Sequence, residues 1–286
     1  MKVAVTGASG FVGTYVVREL ASRDDLIVLA GSRSGVLPSP NPPAARVAWT
    51  SVDVEASVAA ADVFERLGRP DVLLHLAWKG LPNYKSLHHF ETHLAHQYRF
   101  LSGLVRAGLR SLVCTGTCFE YGMRSGALSE DLATQPGNPY GFAKDTLRRQ
   151  LDFLRAQQAF DFTWARLFYM FGDGQPSSSL YPQFSAACAR GDREFRMSGG
   201  EQLRDFLPVS EVARLLVALA LDAPGSGIVN ICSGKPVSVR SLVEGWRAAR
   251  GSSIELALGH YPYPDYEPMA FWGCDSRLRQ ILGSAR

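Results

Sequence analysis

Tyr140 and Lys144 are four residues apart in the segment PYGFAKDTLRR, where a helix is predicted. Side chains at this spacing on a helix lie one above the other on the same face. An ammonium held beside a phenol favours the phenolate, so it lowers the tyrosine pKa from about 10 towards neutrality. Such a tyrosine can give or take a proton near neutral pH. Surface helices show the same spacing by chance, so the chemistry depends on what surrounds the pair.

A glycine-rich turn near the N-terminus predicts a site for a phosphate-bearing cofactor. The apolar run at residues 3–6 ends in GASGFVG, and a helical pattern follows. Gly7 permits the tight turn, Gly10 lets the backbone approach a pyrophosphate, and Gly13 allows close packing of helix and strand. The N–H groups of the helix start then bind the anion. A glycine turn of purely structural value is the alternative.

Alternating strand and helix patterns predict the scaffold that positions these groups. Apolar runs that predict strands occur at residues 3–6, 26–30, 47–50, 72–77, 112–115 and 163–167. The run at 72–77 is almost unbroken, as expected of a central parallel strand buried on both faces. The pattern indicates an α/β protein. Open sheets of this class bind ligands at the carboxyl ends of their strands, where the loop 79–87 begins.

Composition and charge exclude several classes of protein. The 286 residues are 46% hydrophobic and 20% charged, which indicates neither disorder nor a coiled coil. A net charge of +3 without a Lys/Arg cluster gives no indication of nucleic-acid binding. No apolar run reaches about 18 residues, so no membrane span is expected, and the early first strand leaves no room for a signal peptide. The five cysteines show no metal spacing, which predicts reduced thiols, no metal site and a cytoplasmic location.

Three separated motifs occur in the order of a known family. TGASGFVG is close to a TGxxGFxG pattern, the strand at 112–115 opens into GTCFEYG, and Tyr140 follows Thr117 by 23 residues. Together these motifs resemble the extended short-chain dehydrogenase/reductase superfamily, the NAD-dependent epimerase/dehydratase family, over essentially the whole chain. Its members act largely on nucleotide-activated sugars. The resemblance implies a Rossmann-type doubly wound parallel sheet with a smaller C-terminal α/β substrate-binding lobe.

The resemblance also implies how the chain is divided and assembled. The cofactor domain would comprise residues 1–168 plus about 206–232, and the substrate-binding lobe 169–205 plus 233–286. In the family, the helices that correspond to residues 94–105 and 140–153 pair across a two-fold axis. A homodimer joined by a four-helix bundle is therefore expected.

Catalytic roles follow from the resemblance as well. Thr117 would bind the substrate oxygen, Tyr140 would protonate it, and Lys144 would hold the cofactor ribose and lower the Tyr140 pKa. Thr115, two residues earlier and on the same side of the strand, is the alternative hydroxyl. The 4,6-dehydratases of the family carry an Asp-Glu pair directly after the threonine. Cysteine and phenylalanine stand there in this chain and cannot do that acid–base work, so dehydration is not expected.

The end of the second strand favours NADP as the cofactor. NAD-selective members carry an acid there for the ribose diol, whereas this chain has Arg33, whose guanidinium suits a 2′-phosphate. NAD is the alternative, with Arg33 as a solvated loop residue. Asp53 and Val54 match an element beside the adenine, although Asp53 could equally cap the next helix. The cofactor-binding residues that the resemblance implies are Gly7, Ser9, Gly10, Phe11, Val12, Ser32, Arg33, Asp53, Val54, Leu76, Ala77, Trp78, Thr115, Tyr140, Lys144 and Leu167.

The substrate side departs most from the family pattern. Tyr169 takes the place of an asparagine that touches the sugar or diphosphate, and Arg204, in the sequence RDFLPV, matches an arginine that binds the diphosphate. His93 takes the place of an asparagine that supports the catalytic lysine through water. Lys79 would meet a substrate phosphate or remain solvated. The substrate-binding residues that the resemblance implies are Lys79, Thr117, Cys118, Phe119, Tyr140, Tyr169 and Arg204.

The expected activity is the reduction of a nucleotide-activated 4-keto-6-deoxyhexose, with Tyr140 as the proton donor. The segments TCFEYG and SEDLATQPGNPYGFAKDTLR resemble bacterial reductases that form 6-deoxy-talose for surface polysaccharide. A C4 epimerase that retains NAD uses the same residues and is the alternative. A Rossmann scaffold without chemistry usually lacks the tyrosine or the lysine, and this chain has both.

Overall fold

The computed structural model describes residues 1–35, 47–56 and 60–283. The strands are β1 (Lys2–Thr6), β2 (Ile27–Ser32), β3 (Val47–Ser51), β4 (Val72–His75), β5 (Ser111–Thr117), β6 (Gly126–Leu128), β7 (Asp161–Leu167), β8 (Tyr169–Phe171), β9 (Glu194–Arg196), β10 (Leu203–Pro208), β11 (Gly227–Ile231), β12 (Pro236–Ser238), β13 (Glu255–Ala257) and β14 (Phe271–Gly273). The helices are α1 (Phe11–Ala21), α2 (Ala60–Arg66), α3 (Leu94–Arg106), α4 (Pro139–Gln157), α5 (Leu180–Arg190), α6 (Val209–Leu221), α7 (Val239–Ala249) and α8 (Ser276–Leu282). None of these helices is both long and apolar enough to cross a membrane.

Seven parallel strands form the central sheet, in the order β11-β7-β5-β4-β1-β2-β3. Every residue of β4 and β5 is buried, because helices cover both faces of the sheet. The chain adds β2 and β3 on one side of β1 and β4 on the other, so the direction of winding reverses there. Ligands bind at such a reversal, beyond the carboxyl ends of the strands. The predicted Rossmann-type doubly wound sheet is confirmed.

Two apolar layers fix this sheet in place. On one face, Val16 and Leu20 of α1 pack with Leu216 of α6 in one buried cluster. On the other face, Leu101 of α3 and Leu147 of α4 belong to a second cluster, together with side chains of α2. Full burial of one such side chain contributes roughly 1.5–3 kcal/mol. The layers therefore hold the starts of α1 and α4 firmly against the carboxyl edge of the sheet.

A smaller lobe lies beyond this edge. In its three-stranded sheet β10 runs antiparallel to β12 and parallel to β8, and the pairs β9–β13 and β6–β14 form two further short sheets. Phe184, Phe195 and Trp246 belong to its separate apolar core. The predicted return to the cofactor domain at about residue 206 falls inside β10 of this sheet. The chain instead returns to the large sheet through α6, which begins at Val209, and β11.

Candidate active site

The glycine turn between β1 and α1 brings main chain against main chain. Gly7 has a φ of +74°, and a Cβ there would lie 2.7 Å from the nitrogen of Ala77. A Cβ at Gly13 would lie 2.1 Å from the oxygen of Gly7, so α1 can pack on the turn only with glycine at this position. No described side chain caps α1, which leaves the N–H groups of its first turn for an anion. This cradle fits the pyrophosphate of a dinucleotide.

Two adjoining cavities extend from the turn. The first, of about 340 Å³, is lined by ten residues of the predicted cofactor set: Gly7, Ser9, Gly10, Ser32, Arg33, Asp53, Val54, Leu76, Ala77 and Trp78. The second, of about 370 Å³, is lined by the remaining six: Phe11, Val12, Thr115, Tyr140, Lys144 and Leu167. The structure therefore brings the whole predicted set together along one crevice. Thr117, Cys118 and Tyr169 also line the second cavity.

Thr117 and Tyr140 meet because β5 ends beside the start of α4. Asn138 caps α4, and its side-chain oxygen accepts a hydrogen bond of 2.8 Å from the nitrogen of Gly141. This cap places Tyr140 in the first turn of the helix, where it lines the second cavity together with Thr117. The hydroxyl of Thr115 donates to the main-chain oxygen of His75 at 3.4 Å. The hydroxyl oxygen of Thr117 instead accepts a hydrogen bond of 3.3 Å from the nitrogen of Phe119, and this bond leaves its own proton free for another partner.

Lys144 lies one helical turn beyond Tyr140 and is buried. Its Nζ donates a hydrogen bond of 2.8 Å to the main-chain oxygen of Thr115 and lies 3.9 Å from the centre of the Trp78 ring. The ring face stabilises the ammonium. Burial lowers the pKa of Lys144 to about 8, so the side chain remains mostly charged at neutral pH.

The prediction that Lys144 lowers the pKa of Tyr140 is wrong. Burial raises the pKa of Tyr140, and Tyr84 and Glu120 raise it further. The ammonium of Lys144 is 5.9 Å from the centre of the tyrosine ring. Tyr140 is therefore protonated at neutral pH, which suits a proton donor rather than a base.

Glu120 is a buried carboxylate next to Thr117 that sequence reasoning missed. It accepts hydrogen bonds from the nitrogen of Thr117 at 2.8 Å, from Nε1 of Trp164 at 3.0 Å and from Nε of Arg166 at 2.7 Å. A Cβ at Gly116 would lie 2.2 Å from Nε1 of Trp164, so this glycine makes room for the cluster. The charged residue within the motif TCFEYG was the available signal. Glu120 holds the end of β5, and with it Thr117, in place.

A second buried network links the crevice to the interior. Thr6 Oγ1 is 2.7 Å from Nδ1 of His75, and Nε2 of His75 is 2.6 Å from Oε1 of Gln97. Gln97 also donates to the main-chain oxygen of Ala77 at 3.0 Å. Burial lowers the pKa of His75 to about 3, so the ring is neutral and holds the ends of β1 and β4 together. Gln97 carried no sequence signal.

His93, the predicted replacement for an asparagine, continues this network. Its Nδ1 lies 3.0 Å from Oε1 of Glu55, and its Nε2 lies 2.9 Å from Nε2 of Gln97. Burial lowers the pKa of His93 to about 4, so the ring is neutral at pH 7. The side chains of Glu55, His88 and His93 could between them offer three metal ligands within 4.8 Å of one another. His93 and Glu55 are hydrogen-bonded to each other, so a cation could bind both side chains only if that hydrogen bond were broken.

Lys79, expected either to meet a substrate phosphate or to remain solvated, is about half-exposed and is paired with Glu55. Its Nζ lies 2.8 Å from Oε2 of Glu55, and this bond is the main reason that the pKa of Glu55 is lowered to about 2. Lys79 lines the first cavity, with Arg33 and Asp53, rather than the cavity of Tyr140. Its place favours contact with the cofactor.

Aromatic side chains form a wall beside the second cavity. Tyr84 and Tyr140 line the cavity, whereas Phe119, a predicted substrate-binding residue, does not. The ring centre of Phe119 lies 4.9 Å from that of Tyr84 and 6.5 Å from that of Tyr140, so Phe119 packs against the lining residues. Burial raises the pKa of the Cys118 thiol, which makes it a poor nucleophile and agrees with a role as pocket wall.

Arg204 lies deeper in the lobe and is 2% exposed. Its Nη1 donates to the main-chain oxygens of Leu203 at 2.8 Å and Met269 at 3.1 Å, and its Nη2 lies 2.9 Å from Glu267. Tyr169 donates a hydrogen bond to the other oxygen of Glu267. Sequence reasoning missed Glu267, because the loop that carries it is remote in the chain and matches no motif.

The crevice at the reversal of the sheet, with the Thr–Tyr–Lys arrangement beside it, defines a Rossmann-type enzyme of the short-chain dehydrogenase/reductase class. Residues 3–232 match the model of the NAD dependent epimerase/dehydratase family, and the chain belongs to that family.

Characterised relatives cover nearly the whole chain. It is 29% identical to a dTDP-6-deoxy-L-talose 4-dehydrogenase (NAD(+)) of Aggregatibacter actinomycetemcomitans, over 96% of this chain and 99% of the relative. It is 23% identical to a UDP-glucose 4-epimerase of Lactobacillus helveticus, over 99% of this chain and 91% of the relative. The solved structure of MoeE5 in complex with UDP-glucose and NAD is similar with a TM-score of 0.82 and 28% identity, over 99% of this chain and 92% of that one.

Proposed function

We propose that the protein is an NAD(P)-dependent reductase of a nucleotide-activated 4-keto-6-deoxyhexose, with a 6-deoxy-talose-type product. The observation that carries the proposal is the buried phenol of Tyr140, which lines one cavity with Thr117 and Lys144 next to the glycine cradle. A phenol with a raised pKa keeps its proton until a substrate oxygen takes it, as a reduction requires. The similarity to a dTDP-6-deoxy-L-talose 4-dehydrogenase over 96% of the chain supports the sugar and the position.

The residues divide the reduction between them. The bound cofactor supplies a hydride to the C4 carbonyl carbon. Thr117 and Tyr140 hold the carbonyl oxygen, and Tyr140 gives it a proton as negative charge develops. Lys144, charged and fixed by the oxygen of Thr115, compensates the phenolate that remains on Tyr140. Cys118, directly after Thr117, offers no acid or base, and a reduction needs none.

Arg204 and Tyr169 are our candidates for the substrate's diphosphate and sugar. Both line a cavity that reaches the aromatic wall through Tyr84. MoeE5, which shares 28% identity with this chain, binds UDP-glucose, and this supports a nucleotide sugar as the ligand here. A forked guanidinium is suited to phosphate oxygens.

NADP is the preferred cofactor in this proposal. The Arg33 side chain is exposed and lines the first cavity at the end of β2, next to the hydroxyl of Ser32. A guanidinium there can bind a 2′-phosphate. The names of the relatives refer to NAD, so NAD is the alternative.

A C4 epimerase is the second candidate, because UDP-glucose 4-epimerases match 99% of the chain. Such an enzyme uses the same three residues to oxidise the sugar and then reduce it after rotation. It would keep its NAD tightly bound, whereas a reductase exchanges its cofactor. Arg33 favours the reductase, because its guanidinium suits the 2′-phosphate of an exchangeable NADPH.

One incubation separates the two candidates. Purified protein is mixed with NADPH or NADH and dTDP-4-keto-6-deoxyglucose, with and without a 3,5-epimerase, and the loss of reduced nicotinamide is followed by absorbance. We expect one equivalent of cofactor to be consumed for each deoxyhexose formed. Interconversion of nucleotide hexoses without net consumption of cofactor would identify an epimerase and overturn the proposal.

We also propose a cytoplasmic homodimer that binds neither nucleic acid nor membrane and serves deoxysugar synthesis for surface polysaccharide. Phe153 and Phe142 of α4 are 77% and 49% exposed, and a bundle formed with the α3 and α4 helices of a second copy would cover them. Light scattering after gel filtration should give twice the mass of the chain, and Phe153→Lys should give a monomer. A monomeric parent protein would contradict the bundle.

A further inference from the structure

One carboxylate binds both side chains that we assign to the substrate. Arg204 lies on β10 and Tyr169 on the neighbouring β8, and Glu267 reaches both from the connection between β13 and β14. One oxygen of Glu267 is 2.9 Å from Nη2 of Arg204, and the other accepts the Tyr169 hydroxyl. The Glu267 side chain is 9% exposed. A buried carboxylate thus occupies the position that an anionic ligand would need.

Arg204 is incompletely satisfied by this arrangement. Its Nη1 is bonded to two main-chain oxygens, but its Nη2 makes no well-oriented hydrogen bond with any described residue, although Glu267 is near. A buried donor without an aligned acceptor costs free energy. A diphosphate offers more charge and more acceptor oxygens than a carboxylate, and a guanidinium fork matches its geometry.

Residues 265–267 also form a strap beside this site, because Tyr266 and Glu267 line the same cavity as Arg204 and Tyr169. Asp265 is 3.1 Å from Nζ of Lys85, in the loop before α3. The ring centre of Tyr266 lies 6.1 Å from those of Tyr84 and Phe119, and both of these rings contact the ring of Tyr140. The position of Glu267 is therefore coupled through one layer of aromatic rings to the proton donor.

We propose that Glu267 is an internal competitor that an anionic substrate must displace from Arg204 and Tyr169, so that it weakens the binding of every such anion and leaves the site to ligands with the charge of a diphosphate. This inference rests on the proposed function, since it takes a nucleoside diphosphate as the arriving group. Carboxylate and diphosphate repel each other, so they do not share the guanidinium. A neutral sugar or a single carboxylate lacks the charge to replace Glu267. Its departure moves Tyr266 and opens the wall beside Tyr140.

Calorimetric titration of the full-length protein with dTDP, UDP and GDP tests the proposal. Glu267→Gln removes the charge and keeps the shape and the acceptor for Tyr169. We expect it to lower the Kd about tenfold. This factor corresponds to a parent protein in which Glu267 leaves the site available about one-tenth of the time. Asp265→Asn is the matched control, because it removes the same charge from the strap without touching Arg204. It should change the Kd less than about twofold. Adding Arg204→Gln to Glu267→Gln should abolish the gain.

The outcomes separate this inference from the proposed function. If the parent protein binds dTDP and Glu267→Gln binds it equally or more weakly, Glu267 is not a competitor. An equal gain in Asp265→Asn would reduce the effect to general electrostatics and overturn the inference. If none of the three nucleotides binds to any of the proteins, the nucleotide-sugar proposal fails and this inference with it. Thermal unfolding tests whether Glu267→Gln folds. If it does not fold, Glu267→Asp takes its place, because it withdraws the carboxylate by one methylene.

Discussion

Two regions adjoin each other: the crevice that we assign to the cofactor and the cavity lined by Tyr169, Arg204 and Glu267, which we call the substrate cavity. They are built from different parts of the chain. The crevice is built largely from main chain, since a Cβ at Gly7 or Gly13 would strike main-chain atoms. The substrate cavity is built from side chains of distant segments, such as Tyr84, Tyr169 and Glu267. Its interior depends on contacts between those side chains rather than on a turn.

The difference explains why relatives with different reactions share one fold. A site made of main chain admits few residue types, so it persists as a motif wherever the fold persists. A site made of side chains can change its ligand while the main chain stays the same. A 4-dehydrogenase and a 4-epimerase both match this chain over almost its whole length. We therefore expect the substrate side to differ most between these reactions.

The largest effect is expected at Tyr140, where the two regions adjoin. Tyr140→Phe removes the proton donor and leaves the glycine turn untouched, so kcat should fall about 10³-fold while the Kd for reduced cofactor changes less than about twofold. Steady-state rates and fluorescence titration of the cofactor measure the two quantities. Tyr261→Phe, at a residue 54% exposed, is the control for loss of a hydroxyl and should be fully active. Retention of most activity in Tyr140→Phe would refute the assignment of the donor.

Glu120→Gln tests how far the substrate side depends on a buried charge. The variant leaves the guanidinium of Arg166, 1% exposed, without its counter-ion, so the free energy of unfolding should fall by about 3 kcal/mol. It also weakens the hold on Thr117, so kcat should fall more than the cofactor affinity. Urea unfolding and steady-state kinetics measure both effects. Glu211→Gln, at an exposed pair with Arg214, is the control, and an equal loss there would contradict a special role for Glu120.

Sequence alone predicted the fold class because its signals are local. Buried strands, the glycine turn and the capped start of α4 each occupy a few consecutive residues, and the predicted cofactor set lines one crevice in the structure. The boundary at about residue 206 stays a prediction, because the motif RDFLPV does not show that its segment pairs with β8 of the smaller sheet.

The features of the site that the sequence did not predict depend on contacts between residues far apart in the chain, which no local pattern encodes. Glu267 reaches Tyr169 across 98 residues, and Glu55 reaches His93 across 38. The rise of the Tyr140 pKa follows from burial, which a spacing of tyrosine and lysine does not reveal. Lys79 was expected either to meet a substrate phosphate or to remain solvated, and its pairing with Glu55 across 24 residues could not be seen in the sequence.

Lys144→Met should stabilise the protein at neutral pH while abolishing turnover. Burial lowers the Lys144 pKa from 10.5 to about 8, so between these values the unfolded chain binds a proton that the folded chain has released. The stability of the parent protein therefore gains from rising pH over this window, by about 3 kcal/mol in all, and the full penalty applies below pH 8. Urea unfolding at pH 7 and at pH 10 should show the advantage of the variant shrinking. An advantage independent of pH would mean that Lys144 is not the group that titrates.

Arg33→Ala gives the smallest expected effect and tests whether the cofactor crevice is decided by main chain alone. Because the guanidinium is exposed and only its contact with a 2′-phosphate is lost, the Kd for NADPH should rise about tenfold and that for NADH less than about twofold. Arg66→Ala, on α2 and outside the lining of the crevice, is the control. Equal affinities of the parent protein for both cofactors would contradict the preference for NADP. The glycine turn would then bind the pyrophosphate of either cofactor, and side chains would decide the reaction on the substrate side alone.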